Sequence, residues 1–212
     1  MSTWHAEVEA TVFKPSQMPG VRDDAPEVVF AGRSNVGKST LINALIGRRL
    51  AHVSEHAGKT RSVNFYMVKI GAGAGAVKTV FRLVDLPGYG YAERSKAERR
   101  AWADLTKAYF ESRATATTAP LICHLVDFRH GLLANDRLLQ EHLKGFGLPI
   151  MVVFTKADKV SRGARAGMLA KYAADGFTSV DAPLAVSGVL RGGAEELREF
   201  IERTVAPFPS SA

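Results

Sequence analysis

The stretch Gly32-Arg33-Ser34-Asn35-Val36-Gly37-Lys38-Ser39-Thr40 lies between the apolar run Val28-Val29-Phe30-Ala31 and the helical pattern Leu41, Ile42, Ala44, Leu45. The spacing G-x-x-x-x-G-K-[ST] recurs by chance, and an ordinary glycine-rich turn would share it. Strand, glycine loop and helix start in that order are what a polyphosphate cradle needs. Glycines at 32 and 37 let successive N–H groups point inward beside a helix N-terminus, which makes a concave anion site. Lys38 would then reach the β and γ phosphates as a point charge, and the Ser39 hydroxyl would ligate a Mg²⁺ that also holds phosphate oxygens.

Outward from this loop, strand and helix patterns alternate. Residues 1–26 hold a short amphiphilic stretch (Val8, Ala10, Val12, Phe13) and then Pro15, Pro19, Gly20 and Pro26, which suits a leader packed on the domain edge. Glu27–Ala31 reads as a central parallel strand, and the helix after the loop ends near Gly47. Arg48–Thr60 is polar with little periodicity, a functional loop. Val63, Phe65, Met67 and Ile70 alternate before the glycines at 71, 73 and 75, and Val77–Val84 is apolar again, so these are two antiparallel strands joined by a flexible hairpin. Those glycines open onto a strand rather than a helix, which excludes a dinucleotide fingerprint. Helices are expected from about Ser95 to Ser112, Asp136 to Phe146, Ser161 to Ala173 and Ala194 to Val205, with strands at Leu121–Asp127, Ile150–Thr155 and Ala182–Val186. The pattern predicts an α/β fold: a mostly parallel six-stranded sheet with one antiparallel strand and helices on both faces, over residues 27–206, with 207–212 as a tail.

A length of 212 residues, 46% hydrophobic and 23% charged, suits one soluble globular domain. No apolar run reaches membrane-span length, and the start lacks a signal pattern, so a cytoplasmic protein is expected. The lone Cys123, inside an apolar run, excludes an internal disulfide and fits a buried thiol in a reducing compartment. The six histidines are scattered, which argues against zinc. A net charge of +7 favours RNA, DNA or anionic membrane as partners without choosing among them.

Ligands on such sheets bind beyond the carboxyl ends of the strands, so the loops after Ala31, Val84, Thr155 and Val186 converge on one ligand. In Asp85-Leu86-Pro87-Gly88 the carboxylate can accept from Mg²⁺-bound water, and the Gly88 N–H can approach the γ-phosphate. In isolation the tetrapeptide reads equally as a turn. In Thr155-Lys156-Ala157-Asp158 the carboxylate can accept two parallel hydrogen bonds from the guanine N1–H and amine, donors that adenine lacks there. Such charged hydrogen bonds are worth about 1.5–3 kcal/mol each, so GTP is preferred over ATP. The Lys156 stem would cover the base, and the Gly188 N–H in Val186-Ser187-Gly188 could donate to the guanine carbonyl. A surface ion pair between Lys156 and Asp158 is the plainer alternative. Within Gly58-Lys59-Thr60-Arg61-Ser62, Thr60 is the best candidate for the second Mg²⁺ hydroxyl, with Ser54 and Ser62 as competitors. A loop ordered by GTP and released after hydrolysis would make a switch.

With these residues in place the chain resembles, over nearly its whole length, the translation-factor-like GTPases and specifically the bacterial EngB (YihA/YsxC) family of ribosome-assembly GTPases. The carrying residues are Gly32–Ser39, Gly58-Lys59-Thr60, Asp85-Leu-Pro-Gly-Tyr-Gly-Tyr-Ala92, Asp127-Phe-Arg-His130, Thr155-Lys-Ala-Asp158 and Ser187-Gly188. The resemblance implies a Ras-like G domain of the P-loop NTPase class. It also implies GTP and Mg²⁺ binding, slow hydrolysis, association with the large ribosomal subunit during assembly, and a link to cell division and septation. Lys38, Asn35, Thr60 and Gly88 are the expected catalytic residues, in a monomer. Tyr89 stands where signalling GTPases carry their water-orienting Gln, so turnover should be slow. Asn35 matches the position that holds a K⁺ in related GTPases, and a role in satisfying the loop backbone is equally open. Gly131 replaces a proline expected after Arg129-His130.

Arg94, Lys96, Arg99 and Arg100 follow the γ-phosphate-sensing loop. They read either as an RNA-contacting face coupled to nucleotide state or as a solvated helix surface. Two other classes stay open at this point: a P-loop ATPase or small-molecule kinase, in which Asp158 is incidental, and an RNA-binding protein that uses nucleotide only structurally.

Overall fold

The structure, a computed structural model, describes residues 2–51, 62–71, 77–90, 95–114, 116–190 and 192–207. Residues 72–76 of the expected Gly71–Gly75 hairpin, the Gly58–Arg61 segment with Thr60, Ser54, Arg94 and residues 208–212 lie outside these.

Among the described residues the strands are β1 (Thr3–Val12), β2 (Glu27–Gly32), β3 (Val63–Gly71), β4 (Val77–Asp85), β5 (Leu121–Asp127), β6 (Ile150–Thr155) and β7 (Leu184–Ala185). The helices are α1 (Lys38–Ile46), α2 (Lys96–Arg113), α3 (Ala134–Gly145), α4 (Arg162–Ala174) and α5 (Ala194–Val205). The strands form one sheet in the order β1-β3-β4-β2-β5-β6-β7. β3 alone runs against the others, because it pairs antiparallel with both β1 and β4 while the remaining pairs are parallel.

The sheet therefore has seven strands, not six, and the additional one comes from the leader. β1 pairs along β3 from Thr3↔Gly71 to Val12↔Val63, with a register shift between Val8 and Ala10. That bulge interrupts the period-two pattern, which is why the stretch reads only as vaguely amphiphilic. Trp4 anchors it: the ring stands edge-on to Phe81 at 5.1 Å, Arg198 lies over it at 4.9 Å, and its Nε1–H donates to Glu202 at 2.7 Å. At the other edge the expected strand Ala182–Val186 shrinks to Leu184–Ala185, consistent with Pro183, which has no N–H for the ladder.

Alternation along the central strands divides the core. Val28 and Phe30, Cys123 and Leu125, Met151 and Val153 face α1 and α5. Val29, Ala31, Ile122 and Ile150 face α2 and α3, and Val126, Val152 and Phe154 join Tyr172 of α4. Both faces are covered, so the central parallel strands β2, β5 and β6 are mostly apolar, as such sheets require, with Glu27 and His124 the buried polar exceptions inside β2 and β5. Cys123 is fully buried, and burial pushes its thiol up to about 12.

At the amino end of β2 sits an ionic knot. Glu27 accepts from Arg113 Nη2 at 2.8 Å, from Arg82 Nη1 at 3.0 Å and from the Tyr109 hydroxyl at 2.6 Å, while Arg82 also forks onto Glu9 of β1. Burial works against the Glu27 charge, and the hydrogen bonds from Arg113, Tyr109 and Arg82 still hold its carboxyl below the usual range. The knot fixes the far end of α2 and the leader to the sheet, opposite the edge where the loops converge.

Candidate functional site

The phosphate loop turns through two left-handed residues, Asn35 (φ 62°) and Gly37 (φ 98°). Asparagine tolerates that region better than most side chains, and glycine adopts it freely. At Gly32 a Cβ would stand 2.9 Å from the Leu125 carbonyl oxygen, so a side chain there would push the loop off β5. The Leu41 N–H donates to the Gly37 carbonyl at 2.9 Å, which begins α1. Its first residue, Lys38, is buried and its ammonium pairs with Asp85 Oδ1; Ser39 and Thr40 are half-buried beside it.

Asp85 ends β4 at 1% exposure, level with Phe30 of β2 and Asn64 of β3. The Ser62 hydroxyl, just before β3, donates to Asn64 Oδ1 at 3.3 Å, and Asn64 is level with this carboxylate.

Beyond Asp85 the next four residues are fastened to the phosphate loop. The Leu86 N–H donates to the Phe30 carbonyl at 3.1 Å, the Ser34 N–H to the Tyr89 carbonyl at 2.9 Å and the Tyr89 N–H to the Gly32 carbonyl at 3.3 Å. A Cβ on Gly88 would stand 2.9 Å from both Cα and N of Ser34. The Pro87 carbonyl accepts from Trp102 Nε1 at 2.8 Å, which ties α2 to the same loop. Arg33 extends against Gly90, and among the described residues its buried Nε has no hydrogen-bond partner.

The Tyr89 side chain points away from the phosphate cradle. Its hydroxyl donates to Asp136 Oδ1 of α3 at 2.7 Å and lies 2.9 Å from His124 Nε2 of β5. A hydroxyl has one proton to give, so His124 donates from Nε2 and accepts at Nδ1 from Gln140, 3.3 Å away. Burial, and then the Asp136 charge, push the Tyr89 phenol far above its ordinary value. Asp136 stays anionic against its own burial because the His124 ring lies 3.7 Å from Oδ1 and the Tyr89 hydroxyl and the Leu133 N–H donate to the carboxylate.

The loop after β6 is fastened in the same way. The Thr155 hydroxyl donates to the Val36 carbonyl at 2.6 Å and the Lys156 ammonium to the Asn35 carbonyl at 2.6 Å. Lys156 is itself left-handed, at φ 58°. That conformation costs a long side chain of order 1–3 kcal/mol and persists only where the surroundings enforce it. The Ala157 N–H donates to the Val186 carbonyl at 3.0 Å. Asp158 Oδ1 accepts from the Ser187 hydroxyl at 2.7 Å, and this bond, ahead of the opposing desolvation, keeps the carboxyl below its usual range. Gly188 lies on the start of α1, where a Cβ would stand 3.0 Å from the Leu41 N.

Lys156 and Asp158 do not pair with each other. The ammonium goes to Asp127 Oδ2 at 3.0 Å and the carboxylate goes to Ser187. Asp127, His124 and Asp136 are the contributors that the motif reading passed over; Asp127 was visible only inside Asp127-Phe-Arg-His130, with no role attached. Gly131 has φ 65°, closed to proline, and a Cβ there would stand 2.5 Å from Tyr172 Cε1. The expected proline is therefore absent for a local reason.

The Ser39 hydroxyl and Asp85 carboxylate are hard oxygen donors on adjoining elements, and with phosphate oxygens they fit Mg²⁺. The described residues contain no group of three His, Cys, Asp or Glu able to hold a metal by themselves. The donor set thus suits a metal carried by a nucleotide.

Fold and loops together define a P-loop GTPase domain. A family model described as "50S ribosome-binding GTPase" matches residues 27–156. The chain is 43% identical over 166 residues to the "Probable GTP-binding protein EngB" of Kosmotoga olearia, covering 78% of this chain and 80% of that protein. It is 39% identical over 200 residues to the protein of the same name from Clostridioides difficile, covering 92% and 91%. Among solved structures, Era of Aquifex aeolicus bound to GDP and AlF4⁻ matches with a TM-score of 0.71 at 22% identity, over 85% of this chain and 57% of Era. A probable GTP-binding protein engB matches at 0.56 and 22%, over 84% and 98%. The chain belongs to the EngB family of GTP-binding proteins. It is accordingly a GTPase, and the ATPase, kinase and non-hydrolysing alternatives fall away.

Proposed function

We propose that this GTPase is a Mg²⁺-dependent, slowly hydrolysing switch that acts on the large ribosomal subunit during its assembly, in the cytoplasm and as a monomer, with a further link to cell division and septation. The observation that carries it is the attachment of α2 to the Gly88 loop: Trp102 donates to the Pro87 carbonyl, and Lys96, Arg99 and Arg100 are exposed on the first turns of the same helix. A change at the γ-phosphate would therefore move a basic, RNA-compatible face. The net charge of +7 and the wording of the matching family model support the same partner.

In this reading residues 32–40 cradle the phosphates and Lys38 leaves Asp85 for the β and γ oxygens. Ser39 and Thr60 ligate Mg²⁺, with Asp85 reaching it through water, and Gly88 senses the γ-phosphate. Gly58–Ser62 and Asp85–Gly88 close around the triphosphate, while Thr155–Asp158 and Val186–Gly188 read the guanine. Asn35, exposed on the left-handed turn, holds a K⁺ beside the phosphates. Hydrolysis should then run faster in K⁺ than in Na⁺ at equal ionic strength, and equal rates would remove the K⁺ assignment.

The deciding experiment is sedimentation with isolated ribosomal subunits in GTP-analogue, GDP and nucleotide-free states. Co-sedimentation with the large subunit that depends on the GTP analogue is expected. Equal partitioning in all three states, or none, overturns the switch.

A further inference from the structure

Two chain segments meet at the Asp127 carboxylate, and Lys156 carries the contact on to a third. It stands at the carboxyl end of β5, level with Thr155 of β6, and its Oδ2 takes the Lys156 ammonium at 3.0 Å. From the solvent side Arg129 forks onto it, Nε to Oδ1 at 2.9 Å and Nη2 to Oδ2 at 2.7 Å, and the Arg129 N–H adds a third bond to Oδ1 at 3.1 Å. The carboxylate is thus held in one plane with its Oδ2 aimed at Lys156. Burial opposes its charge, but Arg129 and Lys156 keep the carboxyl well below the ordinary range. Lys156 continues the chain of contacts. Its ammonium also donates to the Asn35 carbonyl, and its stem passes the open side of Gly37, where a Cβ would stand 4.0 Å from Lys156 Cε. The left-handed backbone at Lys156 delivers the side chain along this path. Asp127 is the only carboxylate among the described residues with an ion pair to that ammonium.

We propose that Asp127 is a positioning residue of the nucleotide site: braced by Arg129, it fixes Lys156 so that the guanine-reading loop and the phosphate loop act as one rigid body. The proposal rests on the assignment of Thr155–Asp158 to guanine. A base laid against the Lys156 stem then meets a wall already in place, and the ordering cost is not incurred on binding. Since the base is the same in GDP and GTP, Asp127 governs affinity for both alike and leaves the chemical step untouched.

The test is stopped-flow binding of fluorescent GDP and of a non-hydrolysable GTP analogue to the full chain, with single-turnover hydrolysis at saturation. Asp127→Asn should weaken both nucleotides by about tenfold, mainly through faster dissociation, with the saturated hydrolysis rate unchanged. Lys156→Ala should weaken them comparably, and the double variant should be little worse than either, as expected for groups that act through one contact. Losses that add, or an affinity of Asp127→Asn within twofold of wild type, overturn the proposal. Arg129→Gln keeps the carboxylate and lies at the surface, so it serves if Asp127→Asn fails to fold. It should speed GDP release two- to threefold in the wild-type background and not in Lys156→Ala; the same effect in both backgrounds, or none, counts against the link. A wild-type chain that bound ADP as well as GDP would instead sink the guanine assignment itself.

Discussion

The Tyr89 hydroxyl donates to Asp136 Oδ1 at 2.7 Å, which turns the side chain after Gly88 into the protein and away from the phosphate loop. Tyr89→Phe should therefore change single-turnover hydrolysis by less than about threefold, under 1 kcal/mol of barrier. Thermal or denaturant unfolding should show a loss of about 1.5–3 kcal/mol, because Asp136 loses a buried charge-assisted bond. A hydrolysis rate reduced tenfold or more in a well-folded Tyr89→Phe would show that the phenol takes part in the chemistry.

Gly88 touches the Ser34 backbone too closely for any side chain. Gly88→Ala puts a methyl against Cα and N of Ser34, neither of which can rotate away, so the Asp85–Gly88 loop and the phosphate loop must separate. Hydrolysis should fall by at least tenfold, while the stability of the sheet, whose core is distant, changes by only about 1–2 kcal/mol. Calorimetry beside a single-turnover assay distinguishes this from general unfolding, which would lower both together.

The Ser187 hydroxyl donates to Asp158 Oδ1 at 2.7 Å, and in the proposed function this fixes the carboxylate that reads the base. Ser187→Ala should weaken GDP about tenfold, the value of one hydrogen bond to a charged acceptor, without relaxing selectivity against ADP. Asp158→Asn should do more, exchanging the preferred base from guanine to xanthine, since the amide presents a donor where the carboxylate accepted. Competition binding with the two diphosphates reads this directly, and an unshifted preference would place base selection elsewhere.

Glu27 supplies the pH prediction. Its carboxyl is lower in the folded protein than its ordinary value of 4.5, so it stabilises the fold above that pH, and the contribution is lost as pH falls through the depressed folded value. Glu27→Gln removes the charge that Arg113 and Arg82 share and should cost about 3 kcal/mol near neutrality. The gap in melting temperature between the two proteins should then narrow as pH drops below about 4.5. Parallel curves down to pH 3 would mean that the knot contributes no pH-dependent stability.

What could be read from the chain alone was whatever depends on local order. Strand, glycine loop and helix around Gly32–Thr40 follow from residue types that favour that backbone, and the runs 121–127 and 150–155 match β5 and β6 residue for residue because strands covered on both faces read as nearly continuous apolar runs, here broken only by His124 and by the polar ends Asp127 and Thr155. The glycines at 32, 88 and 188 were legible as loop positions, but the backbone approaches to Leu125, Ser34 and Leu41 that exclude a side chain there came only from the structure. Contacts between distant segments were not legible. The bulge at Val8/Ala10 hid β1 until its pairing with β3 was seen. The left-handed backbone at Lys156 has no signature in a lysine, and nothing in the spacing of Asp127, His124 and Asp136 joins the first to Lys156 or the other two to Tyr89. Local sequence determined which groups could bind a guanine nucleotide; the tertiary structure decided which side chains hold those groups still, because a hydrogen bond or ion pair depends on distance in space and not on separation along the chain.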